Sequence, residues 1–129
     1  MEFNECPLLA SEAVNREHEQ LVELINQAEF DVLMGRQAQR PLQALKAFVQ
    51  QHFAEESQTF SQHAMPHCDA HRRDHEFLLQ LIEQACTSND AEELLSILSD
   101  QLPNAIVRHI DRFDRQVVNW LKRHRRTAA

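Results

Sequence analysis

Apolar side chains recur at alternating steps of three and four residues along four segments of this chain, and no other feature constrains its fold as strongly. This is the period of an amphipathic α-helix that presents one apolar stripe to a core. Only one Gly and four Pro occur in 129 residues, which is typical of long helices rather than of a sheet with turns. We therefore predict an all-α protein, folded as one domain over residues 1–129 around one core.

Start and stop signals divide the chain into four predicted helices. Ser11 is a suitable N-cap for the first helix, and the only glycine, Gly35, lies at its C-terminal end. Pro41 suits the first turn of the second helix, whereas Pro103 lies inside the fourth, where its missing N–H must bend or split the helix. The helices cover about residues 12–34, 41–63, 67–86 and 91–124. This order predicts an up-down-up-down antiparallel four-helix bundle.

Every predicted helix places an ionisable side chain on the stripe that should be buried. These residues are His18, His52, Glu56, His71, His75 and His109, with Asp114 beside the fourth stripe. A buried charge costs several kcal/mol unless it is paired or bound to a metal. With a rise of about 1.5 Å per residue, all of these positions converge on one layer of the bundle. The pattern predicts a metal site in the core.

Three histidines are spaced evenly by four, at His67, His71 and His75. The outer two are about 12 Å apart along a helix axis, whereas a two-metal cluster spans only ~3.5–4 Å, so all three cannot bind one cluster. His71 and His75 continue the apolar stripe and are the predicted ligands, and His67 is predicted to be exposed. Alone, this spacing is more typical of a solvated helix face; the histidines on the other helices favour the metal site.

The spacing of His109 and Asp114 requires separate treatment. Five residues of ideal α-helix rotate by about 140°, so the two side chains would not share a face. A widened, π-like turn would bring them together, and we predict such a distortion between them. The alternative is a straight helix in which Asp114 is a surface partner of a neighbouring arginine.

Four segments carry a resemblance to a known family. They are HEQLVELIN (18–26), HFAEE (52–56), PHCDAHRRDH (66–75) and HIDRFD (109–114). In order and intervals the chain resembles the hemerythrin family, specifically the single-domain bacterial hemerythrins, at all seven ligand positions. Carboxylate-rich di-iron oxidases use Glu-x-x-His pairs instead, and no histidine here has Glu three residues before it.

The resemblance implies a non-haem di-iron centre, with two iron ions bridged by an oxo or hydroxo group. It assigns His71, His75 and His109 to one iron and His18 and His52 to the other. Glu56 and Asp114 would bridge the two ions. Counting ligands leaves one position open on the iron with two histidines.

The residues around that open position are also suggested by the resemblance. Leu21, Phe53 and Ala105 are the predicted walls of the gas pocket. Ala105, Ser57 and Met65 depart from the usual family residues, and none of them is a predicted ligand. Because Ala105 is small, we expect a roomier pocket, and replacing it with Leu should slow autoxidation. The alternative is that Ala105 only relieves crowding near Pro103.

The resemblance implies reversible dioxygen binding, in a carrier, a store or a sensor, rather than an enzyme that oxidises a substrate. A sensor would be the input domain of a larger protein, such as a diguanylate cyclase with a C-terminal output domain. The alternative partner is a second copy of the chain, in a homo-oligomer. Peroxide or nitric oxide handling at the same centre, and a metal-free bundle used only for protein interaction, are the other hypotheses.

Charge and targeting signals exclude several other classes. A formal net charge of −7 argues against nucleic-acid binding. Neither a signal peptide nor a run of about 20 apolar residues is visible, so we expect a cytoplasmic protein without a membrane partner. The cysteines Cys6, Cys68 and Cys86 are odd in number and lack metal-binding spacing, and we predict reduced thiols.

Overall fold

The structure is a computed structural model that describes residues 1–127. The last two residues of the predicted domain lie outside this range. A short 3₁₀ turn at Phe3–Glu5 precedes four long helices. These are α1 (Glu12–Leu33), α2 (Gln39–Gln62), α3 (Asp69–Thr87) and α4 (91–127). Residues 1–127 contain no strand, so the all-α prediction is confirmed.

The four helices form the predicted four-helix bundle. α1 and α3 each pack against α2 and against the first half of α4. The apolar stripes meet between them, and the side chains of Ile25, Leu45, Ile82 and Leu98 are fully buried. This arrangement brings one face of each helix to a common interior, as the three-and-four spacing requires.

The end of α1 follows from its glycine. Gly35 has a φ of +69°, and its N–H donates to the carbonyl of Val32. The N–H of Arg36 then donates to the carbonyl of Asp31 at 2.8 Å. These two bonds form a Schellman motif, in which a residue with positive φ satisfies the last helix carbonyls.

The third helix begins later than the sequence predicted, at Asp69 rather than at residue 67. His67 has a φ of +60° and Ala64 a φ of +49°, so the connection between α2 and α3 turns through left-handed backbone. Pro66 contributes, because the residue before a proline is disfavoured in helical conformation. His67 is exposed, as predicted, but it precedes the helix and shares no stripe with His71.

The fourth helix continues through Pro103 by widening into a π-helical segment at Ile97–Gln101. Leu102 donates its N–H to the carbonyl of Ile97, five residues earlier. Pro103 has no N–H and its ring crowds the preceding turn, so a wider turn accommodates it without interrupting the helix. The hydroxyl of Ser99 also donates to the carbonyl of Leu95.

The cysteines and the helix lengths bear on two further expectations. Cys6, Cys68 and Cys86 are free thiols, and Cys6 and Cys86 pack in the core. None of the helices over residues 1–127 has both the length and the apolar content required to cross a lipid bilayer.

Candidate metal centre

The seven residues predicted as ligands lie together in the interior of the bundle. α1 contributes one of them and each of the other helices two. Five are buried, whereas His52 and Glu56 on α2 are half-buried. The group consists of His18, His52, Glu56, His71, His75, His109 and Asp114.

A first group of side chains surrounds one oxygen of Glu56. One ligand atom each from Glu56, His71, His75 and His109 lies within 4.8 Å of the others. The Nε2 atoms of His71 and His75 lie 2.5 Å and 3.2 Å from Oε1 of Glu56. Three imidazoles and one carboxylate within this distance could hold a metal ion.

A second group shares Glu56 with the first. Ligand atoms of His52, Glu56 and Asp114 also lie within 4.8 Å of one another. His52 Nε2 is 3.5 Å from Oε2 of Glu56, and His18 Nε2 is 3.1 Å from Oδ2 of Asp114. Glu56 thus directs one oxygen toward each group, which is the arrangement required of a bridging carboxylate.

The predicted distortion between His109 and Asp114 is confirmed. Residues Ile110–Asp114 form a π-helical segment, and Asp114 Oδ1 lies 3.2 Å from His109 Nε2. Asp114 is 4 % exposed, which excludes a surface role. The same oxygen of Asp114 lies 3.4 Å from Nε2 of His71.

Several buried polar atoms at the centre lack a hydrogen-bond partner among the described residues. They are Nδ1 of His18, Oε1 of Glu56, Nε2 of His71, His75 and His109, and Oδ1 of Asp114. Apart from Nδ1 of His18, these nitrogens and oxygens approach one another closely but without the angles of hydrogen bonds. Unpartnered buried polar groups cost roughly 1–3 kcal/mol each. A shared cation would satisfy five of the six atoms at once, so the residues present fit a metal cluster.

Two carboxylates outside the group orient its histidines. Glu17 Oε2 lies 2.7 Å from Nδ1 of His52, and Asp74 Oδ2 lies 2.6 Å from Nδ1 of His109. Such partners hold the Nδ1–H tautomer and leave the Nε2 lone pair free for a metal. Neither Glu17 nor Asp74 was predicted from the sequence. The one signal in the sequence is that each of the two acids immediately precedes a predicted ligand. In the structure, however, each acid contacts a histidine on a neighbouring helix and not the ligand that follows it.

Electrostatics at the centre favour charged carboxylates. Burial acts to raise the pKa of Asp114, but His109, His18 and His71 outweigh it and hold this pKa well below its usual value. Burial likewise opposes ionisation of Glu56, and contacts with His71 and His75 lower its pKa. Both carboxylates are therefore anionic at neutral pH.

The histidines respond unequally to the same surroundings. Burial opposes charge on His71, but Asp114 and Glu56 prevail and raise the pKa of His71 to about 9. Burial also opposes charge on His52 and His109, and the pKa values of both are nevertheless raised by carboxylates. Burial lowers the pKa of His75. Without metal, protons on imidazoles balance the carboxylates, and a bound cation would replace them.

Aromatic rings enclose the group with three histidines. The ring of Phe53 stacks on His75 with centroids 3.8 Å apart. Phe60 and Phe113 lie against His71 at centroid distances of 5.0 Å and 5.2 Å. These contacts fix the imidazole planes.

A small cavity of about 20 Å³ adjoins the other group, at His18 and His52. This is the size of about one water molecule. Apart from these two histidines and Asp114, every residue that lines the cavity is apolar.

Two of the three predicted pocket residues, Leu21 and Phe53, line this cavity, and Ala105 does not. α4 instead contributes residues at steps of four, namely Leu102, Ile106 and Ile110. Ala105 is buried one turn before His109 and lies on the same face of α4. Ile106, the next residue, lines the cavity because its side chain is rotated by about 100° around the helix axis.

Comparison with known proteins agrees with this arrangement. Neither the curated proteins nor the solved structures contain a match to the chain. The sequence profile of the hemerythrin HHE cation binding domain matches residues 9–121, which is nearly the whole chain and includes all seven clustered side chains. The chain therefore belongs to the hemerythrin HHE cation-binding domain family.

Proposed function

We propose that this domain binds dioxygen reversibly at a non-haem di-iron centre and acts as an oxygen carrier, store or sensor. One observation supports this most directly: a cluster of five imidazoles and two carboxylates adjoins an apolar cavity with room for one small molecule. Histidine-rich sites with bridging carboxylates suit iron. Two bound iron ions would supply the redox electrons and an open coordination position.

The protein residues would hold and orient the two ions. His71, His75 and His109 would hold one ion, His18 and His52 the other, and Glu56 and Asp114 both. Glu17 and Asp74 keep two of the imidazoles in the tautomer and orientation that binding requires.

The cavity wall favours binding over turnover. Leu21, Phe48, Val49 and Ile106 give the cavity beside His18 and His52 an apolar wall. The lining offers no proton donor apart from the predicted ligands, and breaking an O–O bond normally requires one. Peroxide handling therefore has less support than reversible binding, and we propose that the domain is not an enzyme.

The test combines metal analysis with visible spectroscopy of the reduced protein. Two irons per chain and a charge-transfer band that appears in air and disappears under argon would support the proposal. A protein purified without bound metal that takes up none would contradict it. A band that forms once and does not reverse, with consumption of added peroxide, would favour peroxide handling. His109→Gln should lose the band, whereas His67→Gln, at an exposed histidine outside the centre, should retain it.

A further inference from the structure

A buried metal centre needs a route from solvent, and three of the openings between described residues reach its predicted ligands. The first is the apolar cavity at His18 and His52. The second is a cleft of about 340 Å³ beside Trp120 that reaches His71. The third is a groove of about 200 Å³ between α1, α2 and the last part of α4 that reaches His52 and Glu56.

The first two openings suit a dication poorly. The cavity has an apolar wall, and transfer of an unpaired charge across such a wall is strongly unfavourable. Arg123 and His67 line the cleft beside Trp120, and no described residue in its lining is Asp or Glu. Along neither opening does a described carboxylate outside the centre attract a hydrated cation.

The third opening, which we call the acidic groove, has the opposite character. Glu55, Glu17 and Glu56 line it, and none of its lining residues among the side chains that the structure describes, 1–124, is Lys or Arg. Glu55 is exposed, the Glu17 side chain is 38 % exposed, and that of Glu56 is 12 % exposed. The three carboxylates therefore form a graded series from solvent to the centre.

The floor of the acidic groove itself points to a cation. Oε1 of Glu56 is buried and has no hydrogen-bond partner among the described residues. His52, beside it, is the most exposed of the five clustered histidines, with a side-chain exposure of 17 % against 6 % or less for the others. The centre is thus most accessible where the negative charge is concentrated.

We propose that the acidic groove is the route by which divalent cations enter and leave the centre, and that Glu55 attracts them to its mouth. The inference rests on the proposed metal centre but not on dioxygen binding. Clefts lined by one sign of charge raise association rates of opposite charges by roughly 10–10³-fold, and salt suppresses the effect.

The test follows the uptake of Co²⁺ by metal-free protein through its visible absorption. Glu55→Lys should slow uptake by about 3–10-fold at low ionic strength, and the difference should shrink toward unity at about 1 M salt. Glu92→Lys is the matched control, since it makes the same charge change at an exposed position at the start of α4, far along the helix from the centre. Equal rates for Glu55→Lys and Glu92→Lys would overturn the inference. Failure of the unaltered protein to bind Co²⁺ would instead overturn the metal centre.

A second measurement uses the loaded protein and does not depend on how well the metal-free form folds. Thr59, in the wall of the acidic groove, can be replaced by Trp to narrow it. Thr59→Trp should slow loss of Co²⁺ to an external chelator several-fold. Gln116→Trp narrows the cleft beside Trp120 in the same way and should leave the rate unchanged. Slower release in Gln116→Trp, with no change in Thr59→Trp, would assign the route to that cleft.

Discussion

His109 Nε2 lies 3.2 Å from Asp114 Oδ1, although five residues of α-helix would turn these side chains to different faces. The π-helical segment between them removes the conflict. π-Bulges inside α-helices occur frequently at functional sites. Here the bulge allows one helix to contribute two neighbouring groups to one centre.

The two aspartates of this π segment provide a matched test. Asp114→Asn removes a buried anion that contacts His18, His71 and His109, so the metal affinity of the centre should fall by more than about 100-fold. Asp111→Asn lies in the same segment but alters only an exposed ion pair with Arg115 and should have little effect. Competition with a chelator measures both affinities. Equal losses in the two variants would remove Asp114 from the centre.

The outer carboxylate Asp74 should tune metal affinity without contacting the metal. Asp74→Asn weakens the 2.6 Å contact that fixes the ring of His109, and we expect a 10- to 100-fold loss of affinity by chelator competition. Asp69→Asn, at an exposed position in the first turn of the same helix, is the control. A shift in the visible spectrum of bound Co²⁺ should accompany the loss. A purely structural role for Asp74 would lower thermal stability and leave that spectrum unchanged.

The raised pKa of His71 predicts a pH dependence with opposite signs for folding and for metal binding. An imidazole whose pKa is raised to about 9 contributes stability that is fully present below its ordinary pKa of 6.5 and is lost as pH rises through about 9. Metal-free protein should therefore lose roughly 1–3 kcal/mol of unfolding free energy across this range. Metal affinity should rise over the same range, because the cation displaces the proton.

Denaturant unfolding and chelator competition at pH values from 6 to about 9.5 measure the two trends. In His71→Gln the decline in stability should become smaller, because only the raised pKa values of His52 and His109 then contribute, whereas in His67→Gln it should keep its full size. If stability declined equally in both variants, the decline would come from titratable groups other than His71.

The apolar cavity predicts a steric effect on dioxygen that is separate from metal binding. Val49→Ile adds one methyl group to the wall of a cavity of about 20 Å³, so dioxygen should bind roughly 10-fold or more weakly while metal content is unchanged. Oxygen titration of the reduced protein, after metal analysis, provides the measurement.

Ala105→Leu serves as the comparison for the cavity. Because Ala105 lies in the packed core and not in the cavity wall, we expect overpacking that costs about 1–3 kcal/mol of stability rather than a change at the gas site. Thermal unfolding would detect this cost. If Ala105→Leu weakened dioxygen binding and Val49→Ile left it unchanged, the gas site would lie on the His109 side of the centre and not at the cavity.

The sequence by itself determined the class of fold and the composition of the centre. Spacing of three and four residues is a local property of a helix, so four apolar stripes and their capping residues, such as Ser11 and Gly35, were sufficient to predict a helical bundle. Ionisable side chains on every stripe are costly in a core, so His18, Glu56 and His75 indicated a metal site before any contact was known. The angle between His109 and Asp114 was enough to predict the π turn.

Only the tertiary structure decided which groups from different helices meet. Glu17 and Asp74 resemble ordinary surface acids in the sequence, and their roles depend on the proximity of α1 to α2 and of α3 to α4. Ala105 is excluded from the cavity wall and its neighbour Ile106 is included. Helical spacing alone does not resolve which of two adjacent residues on α4 faces the cavity. The acidic groove likewise exists only because three helices leave a gap there. Local periodicity fixes which face of a helix is buried, whereas packing fixes what that face contacts.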